Sequence, residues 1–334
     1  MISGLHRLAV IAAIIAFCVI VLGAYVRLSH AGLGCPDWPG CYGKLTWPTE
    51  SHEVSNANLA FPDRPVETHK AWKEMVHRYL AGTLVLLVLA INVIAWRGDS
   101  GARRFRLLAG FLLAVILFQA ALGMWTVTLK LKPIVVMGHL MGGLATFALL
   151  LWLALRSSRS RLTGSTEALR SFRPFIFAAT LILVLQLMLG GWTSANYSAL
   201  ACPDFPTCQG QWWPESNFGE GFVLWREIGV DYEGGLLDLP SRVAIQMSHR
   251  IGAVVTLLVV GLLAFLLIRN PATRRDGRLL AALLLGQMTL GVLNVVLFLP
   301  LPNAVAHNAG AALLVAMMIW LLHRSRPGSE KAVA

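Results

Sequence analysis

The sequence EMVHRYLAGTLVLLVLAIN, residues 74–92, places a histidine at the start of a long apolar run. A second run of the same kind, QMSHRIGAVVTLLVVGLLA, occupies residues 246–264. A helix needs about 20 consecutive apolar residues to cross the hydrocarbon core of a bilayer. Both runs are therefore predicted to lie in membrane-spanning helices, with His77 and His249 near one end.

The composition of the whole chain agrees with a membrane protein. Of 334 residues, 56% are hydrophobic and 13% are charged, whereas soluble domains carry about 25% charged residues. We predict an all-α integral membrane protein with eight transmembrane helices. The predicted spans are 7–27, 75–96, 106–128, 134–155, 173–194, 245–269, 278–299 and 303–323. The first is not a removable signal peptide, because it is long and lacks a small-residue cleavage site.

The positive charge lies between the spans. A net charge of +11 does not indicate nucleic-acid binding, because the basic residues form no patch with interleaved aromatics. Arginines concentrate in the second, fourth and sixth connections, while the fifth is acidic. The positive-inside rule then places both termini in the cytoplasm and the long loops, about 28–74 and 195–244, outside. The predicted location is the cell inner membrane, with several passes.

The chain also contains an internal repeat. LG at 22–23 recurs as LG at 189–190, and CPDWPGC at 35–41 recurs as CPDFPTC at 202–208. QAALG at 119–123 recurs as QMTLG at 287–291, and EMVHR recurs as QMSHR. We predict two tandem four-helix bundles, residues 1–160 and 161–334. Four spans separate equivalent helices, so the two halves share one orientation and are related by a pseudo-twofold axis along the membrane normal.

Four of the nine histidines, His77, His139, His249 and His307, lie near the outer end of even-numbered spans. An ionisable residue at membrane depth is costly and is a candidate functional residue. A single one often only hydrogen-bonds a neighbouring helix, but four at repeated positions favour a ligand set. Paired imidazoles on facing helices suit axial ligation of haem, one per half, better than one four-histidine metal site. The remaining five, His6, His30, His52, His69 and His323, are interpreted as solvated.

The two halves differ beside the histidines. Glu74 lies three residues before His77, one turn away on the same helix face, and its counterpart is the uncharged Gln246. A carboxylate near iron can accept a proton or stabilise positive charge, which favours the first half as the working site. Alternatively, Glu74 is an ordinary charged residue at the start of a helix. Arg78 and Arg250 could pair with porphyrin propionates or extend to the membrane interface.

The outer loops carry two cysteine pairs. Cys35 and Cys41, like Cys202 and Cys208, enclose five residues on the oxidising side, which predicts two disulfides. Zinc is disfavoured because neither loop supplies two further ligands at standard spacing. Two roles are consistent with these disulfides: stabilisation of the loops, and thiol–disulfide chemistry during haem binding or transfer. Cys18, within the first span, is interpreted as a small buried residue.

At these residues the chain resembles the haem A synthase family, membrane oxygenases that convert haem O into haem A for terminal oxidases. The resemblance covers essentially the whole chain and rests on Glu74-x-x-His77-Arg78, the other three histidines and the cysteine pairs. It implies that His77 and His139, with Arg78 beside them, bind the substrate haem. It likewise implies that His249 and His307 ligate haem b, that Glu74 is catalytic, and that Cys35 and Cys41 form a functional disulfide.

The resemblance also implies a reaction and partners. The reaction is successive hydroxylation of a ring methyl of haem O, followed by dehydration to a formyl group. The implied partners are haem O, membrane lipid, haem O synthase and the assembly factors of terminal oxidases, and the electron donor is unidentified.

The main alternative is a di-haem b-type membrane electron carrier without oxygenase activity, which has no need for the Glu74/Gln246 difference. A haem transporter would need an exchangeable ligand and a path, and the sequence shows neither clearly. The farnesyl transferase that forms haem O would need paired aspartates for a prenyl diphosphate and its magnesium, and no span end carries them.

Overall fold

The computed structural model describes residues 2–158 and 167–327, and this part of the chain is helical without named strands. Within it, eight helices are long and apolar enough to cross a membrane, as predicted. They are α1 (Ile2–Leu28), α2 (Thr68–Arg97), α3 (Arg106–Thr128), α4 (Pro133–Ser157), α5 (Arg173–Ala195), α6 (Leu239–Arg269), α7 (Arg274–Val296) and α8 (Leu301–Arg324).

The seventh helix ends earlier than predicted, at Val296 instead of residue 299. Phe298 and Leu299 have positive φ angles of 56° and 60°, and the Leu299 amide donates to the Asn294 carbonyl at 2.7 Å. These residues form a left-handed turn that reverses the chain into α8. The prediction was wrong here because the turn residues are themselves apolar and continue the hydrophobic run.

The helices pack as two groups of four. α1 contacts α2, α2 contacts α3, α3 contacts α4, and α4 closes the ring on α1; α5 to α8 form the same ring. Each group has its own buried core. Burial of apolar side chains does little to drive helices together in lipid, because the lipid chains are themselves apolar. Close packing between small residues contributes instead. α1 supplies a stripe of almost fully buried alanines for this: Ala9, Ala12, Ala13 and Ala16.

The two groups meet through α1 with α8, α4 with α5, and α4 with α8. At the end that carries the cysteine loops, Arg27 of α1 donates to the Ser194 carbonyl of α5 at 3.0 Å. Its guanidinium also bonds the Tyr197 hydroxyl and lies over that ring. The predicted boundary at residues 160/161, like Arg159 and Arg161 of the fourth connection, lies outside the described residues.

The two long loops, for which no role was predicted beyond their cysteines, contact each other. Arg64 of the first loop pairs with Glu233 at 2.7 Å and with Asp231 at 2.5 Å in the second loop. The amide of Tyr232 donates to the carbonyl of Lys130, in the α3–α4 turn, at 3.0 Å. The second half therefore extends a segment over the first.

Three predictions about single residues were wrong. His6 is half-buried rather than solvated, and its Nδ1 atom lies 3.0 Å from the Ala154 carbonyl of α4. His323 is 1% exposed rather than solvated, because its ring packs edge-on against Trp152 and a nitrogen bonds Arg326 at 2.7 Å. Cys18 is exposed on α1 rather than buried. It lines an apolar cavity of about 420 Å³ with Phe17 and neighbouring residues of α1. Hydropathy marks a span but not which face of it is covered.

Candidate functional site

The four intramembrane histidines lie at one end of the bundle, on the helices that the sequence assigned to them. His77 is on α2, His139 on α4, His249 on α6 and His307 on α8. Each lies within about three turns of the first residue of its helix. This is also the end that carries the cysteine loops. All four histidine residues are half-buried.

In the first half, the two imidazoles face each other. The ring centroids of His77 and His139 are 6.5 Å apart, and the ring planes are inclined at 78°. Imidazole nitrogen binds a transition metal at about 2 Å, and the nitrogen lies roughly 1 Å from its ring centre, so a metal between two rings needs a centroid separation of about 6 Å. The Nδ1 atoms of both rings are buried without a hydrogen-bond partner. The centroid separation of this pair is close to that value, and each ring has a nitrogen free of other hydrogen bonds.

Each histidine ring rests against a glycine of the preceding helix. A Cβ placed on that glycine would lie 2.9–3.1 Å from the histidine Cε1 atom. The four pairs are Gly23 with His77, Gly123 with His139, Gly190 with His249, and Gly291 with His307. The sequence repeat had aligned these glycines without giving them a role. In the structure, the absence of a side chain at each glycine allows the histidine ring to pack directly against the helix backbone.

Glutamine side chains contact three of the four histidines. Gln119 donates its amide to the His139 carbonyl at 2.7 Å, and Gln186 does so to the His249 carbonyl at 3.0 Å. The Gln186 amide also lies 3.0 Å from the His249 Nδ1 atom, and Gln287 lies 3.3 Å from the His307 Nε2 atom. The sequence analysis missed Gln186, although its four-residue spacing to Gly190 matches the other two.

Glu74 is buried next to the first histidine pair. It is 4% exposed; one carboxylate oxygen accepts the Cys35 amide at 2.9 Å, and the other forms an ion pair with Arg78. Its counterpart Gln246 is 5% exposed, with its amide oxygen buried and unpartnered. The carboxylate thus joins the start of a cysteine loop to the helix turn that carries His77.

The arginines after the histidines hold the cysteine loops. Arg78 donates to the carbonyls of Asp37 and Gly40 at 2.8 and 2.6 Å. Arg250 donates to the carbonyls of Thr207 and Asp204 at 2.7 and 2.8 Å. Both guanidinium groups therefore bind loop backbone, a role that was not predicted.

The predicted disulfides are present, Cys35 with Cys41 and Cys202 with Cys208. An aspartate organises each loop by accepting backbone amides: Asp37 from Tyr42, and Asp204 from Gln209. The Thr207 hydroxyl, with the amides of Gly210 and Gln209, lowers the pKa of Asp204 to about 2. Within the described residues no three His, Cys, Asp or Glu side chains converge as a metal cluster.

Comparisons with known proteins agree along nearly the whole chain. The model of the COX15-CtaA family, described as cytochrome oxidase assembly protein, matches residues 6–319. A protein of Shewanella oneidensis named heme A synthase is 45% identical over 316 residues, covering 93% of this chain and 95% of that protein. A heme A synthase of Caulobacter vibrioides is 29% identical, covering 95% of this chain and 94% of its own length. The Bos taurus heme A synthase COX15 is 24% identical, covering 92% and 78%.

Proposed function

This chain belongs to the COX15-CtaA family of cytochrome oxidase assembly proteins, and we propose on that basis that it converts haem O into haem A in a membrane. It is an oxidoreductase that oxidises a ring methyl of the porphyrin to a formyl group. The structural observation that carries this function is a buried carboxylate, Glu74, one turn from His77. The second half has an amide, Gln246, at the same place.

The first half is the proposed substrate site. His77 and His139 hold haem O between α2 and α4; their 6.5 Å centroid separation and unpartnered Nδ1 atoms support this. Because the second half repeats the first, His249 and His307 are the proposed ligands of a resident b-type haem. When bound, that haem would transfer electrons. The matching glycine contacts of all four rings support two equivalent haem positions.

Glu74 is the proposed catalytic residue. Its oxygen near Arg78 can hold a proton or balance positive charge that develops on the substrate, and its other oxygen is fixed by the Cys35 amide. Arg78 is the proposed ion-pair partner of a porphyrin propionate, in addition to the loop carbonyls that it binds.

The proposed topology has both termini in the cytoplasm and the disulfide loops outside the inner membrane. The arginine-rich connections at one end of the bundle and the disulfides at the other support it. The proposed pseudo-twofold axis is supported by the contacts between halves, because exchanging the repeats exchanges α1–α8 with α5–α4 and maps α4–α8 onto itself. Haem O synthase and terminal-oxidase assembly factors are the proposed partners.

The test is haem analysis in cells that make haem O but lack any other haem A-forming enzyme. Expression of this chain should convert extractable haem O into haem A, identified by chromatography and mass. Retention of haem O alone, together with an intact b-type spectrum in the purified protein, would instead identify a di-haem electron carrier.

A further inference from the structure

Three of the four histidines are held by the same two-helix arrangement, which we name the amide clamp. It consists of Gln-x-x-x-Gly on one helix and His-x-x-Gly on the next. The three sets are Gln119, Gly123, His139 and Gly142; Gln186, Gly190, His249 and Gly252; and Gln287, Gly291, His307 and Gly310. In each set the first glycine supports the ring. The glutamine amide bonds the main-chain carbonyl of His139 in the first set, both the carbonyl and a ring nitrogen of His249 in the second, and a ring nitrogen of His307 in the third.

The last glycine of each clamp makes room for the glutamine. A Cβ added to Gly142 or Gly252 would lie 2.2 Å from the glutamine Oε1 atom, and one added to Gly310 would lie 2.3 Å from it. Any side chain there would push the amide off the histidine. In the structure the glutamine side chain occupies the space beside Gly142 and Gly310. The three amides all bond the residue at the histidine position of the next helix, at its main-chain carbonyl, at its ring, or at both.

His77 has the supporting glycine but lacks the rest of the clamp. Gly23 supports its ring, with a Cβ-to-Cε1 distance of 2.9 Å. The position four residues before Gly23 is Val19, and the position three residues after His77 is Leu80. The Nδ1 atom of His77 is buried without a hydrogen-bond partner, as are those of His139 and His307, so His77 differs from them by the missing glutamine and glycine. The exception falls on the helix that also carries Glu74.

We propose that the clamps are positioning devices that fix His139, His249 and His307, and that unclamped His77 is the ligand that yields when a porphyrin enters or leaves the first half. This inference rests on the proposed substrate site. Groups that orient a metal-ligating histidine change metal affinity about 10–100-fold when removed. A resident haem benefits from two fixed ligands, whereas a site that must release its product benefits from one that moves.

The first test installs a clamp at His77. The double variant Val19→Gln/Leu80→Gly supplies both missing residues, and Val19→Leu/Leu80→Gly is its matched control, with the same glycine and no amide. Protein loaded with haem O is mixed with a haem-scavenging apo-globin, and release is followed spectroscopically without turnover. We expect release about 10-fold slower or more in the glutamine variant than in the control. Equal release rates in the two variants would overturn the role given to His77.

The second test removes a clamp in the other half. Gln287→Leu deletes the amide, while Gly310→Ala keeps it but displaces it. Both should shift the reduction potential of the b-type haem in the same direction and speed its loss. The double variant should add little, because both changes act on one contact. An unchanged potential and unchanged haem retention in all three variants would overturn the clamp. Because neither test needs haem A formation, absence of haem A refutes the proposed function separately.

Discussion

Replacing Glu74 with glutamine tests whether the buried carboxylate acts chemically or only structurally. The swap nearly preserves shape, and the new amide oxygen can still accept the Cys35 amide, now bonded at 2.9 Å. It removes the negative charge beside Arg78 and makes the first half match Gln246 in the second. We expect a folded protein that keeps its b-type haem and binds haem O, but yields little or no haem A.

The expected magnitudes separate the two roles. Removing one partner of a buried ion pair costs about 3–5 kcal/mol. Here Arg78 keeps its bonds to the Asp37 and Gly40 carbonyls, so the loss should be nearer the value of one charged hydrogen bond, about 1.5–3 kcal/mol. General acid–base catalysis contributes about 10²–10⁴-fold in rate. The fall in haem A should therefore far exceed any fall in the amount of folded protein.

The assay is extraction and chromatography of haem from cells that supply haem O, normalised to purified protein. Glu67→Gln is the matched control, since this residue precedes the same helix and its side chain is 50% exposed beside Lys70. Near-normal haem A from Glu74→Gln, or an equal loss from Glu67→Gln, would refute a catalytic carboxylate at residue 74.

Two further predictions concern the second half. His249→Ala should abolish the b-type signal in reduced-minus-oxidised spectra, whereas His77→Ala should spare it; an unchanged signal in His249→Ala would contradict the assignment of the resident haem. Hydrogen bonds hold the pKa of Asp204 at about 2, below its ordinary 3.8, so its contribution to loop stability is present above about pH 4 and lost as the pH falls towards 2. Amide exchange at Gln209 should accelerate over that range, and Asp204→Asn should remove this dependence; identical pH profiles would contradict it.

The sequence predicted the parts of the fold that depend on local chemistry. Span number follows from apolar length, and the cysteine pairing follows from a five-residue spacing on loops. The repeat correctly marked Gly23 and Gln119 as equivalent to residues of the second half. It gave them no function, because a contact such as Gln119 with the His139 carbonyl depends on the register between two helices. Apolar periodicity constrains which face packs, but not the axial offset of its neighbour.

Long-range contacts escaped prediction for a similar reason. Arg64 and Asp231 lie on different loops, and each, taken alone, is a charged residue that would be expected to be exposed. Their pairing exists only because α1 to α4 and α5 to α8 bring those loops together at one end. Burial of His323 likewise depends on Trp152, from the other half of the chain.

Two chemical differences between the halves fall on α2, within two turns, and a third, Val19 in place of the repeat's Gln186, falls on α1. Position 74 carries a charge where the repeat has an amide, and position 80 carries leucine where the repeat has the glycine that admits a clamp. One change would alter the chemistry available beside the porphyrin, and the other would alter how firmly His77 is held. A resident haem needs neither, since electron transfer requires a fixed iron. A substrate site needs a reactive group and also a ligand that can dissociate from the iron. Because Glu74 also accepts the Cys35 amide, movement of the helix turn that carries His77 would also displace the start of the first disulfide loop.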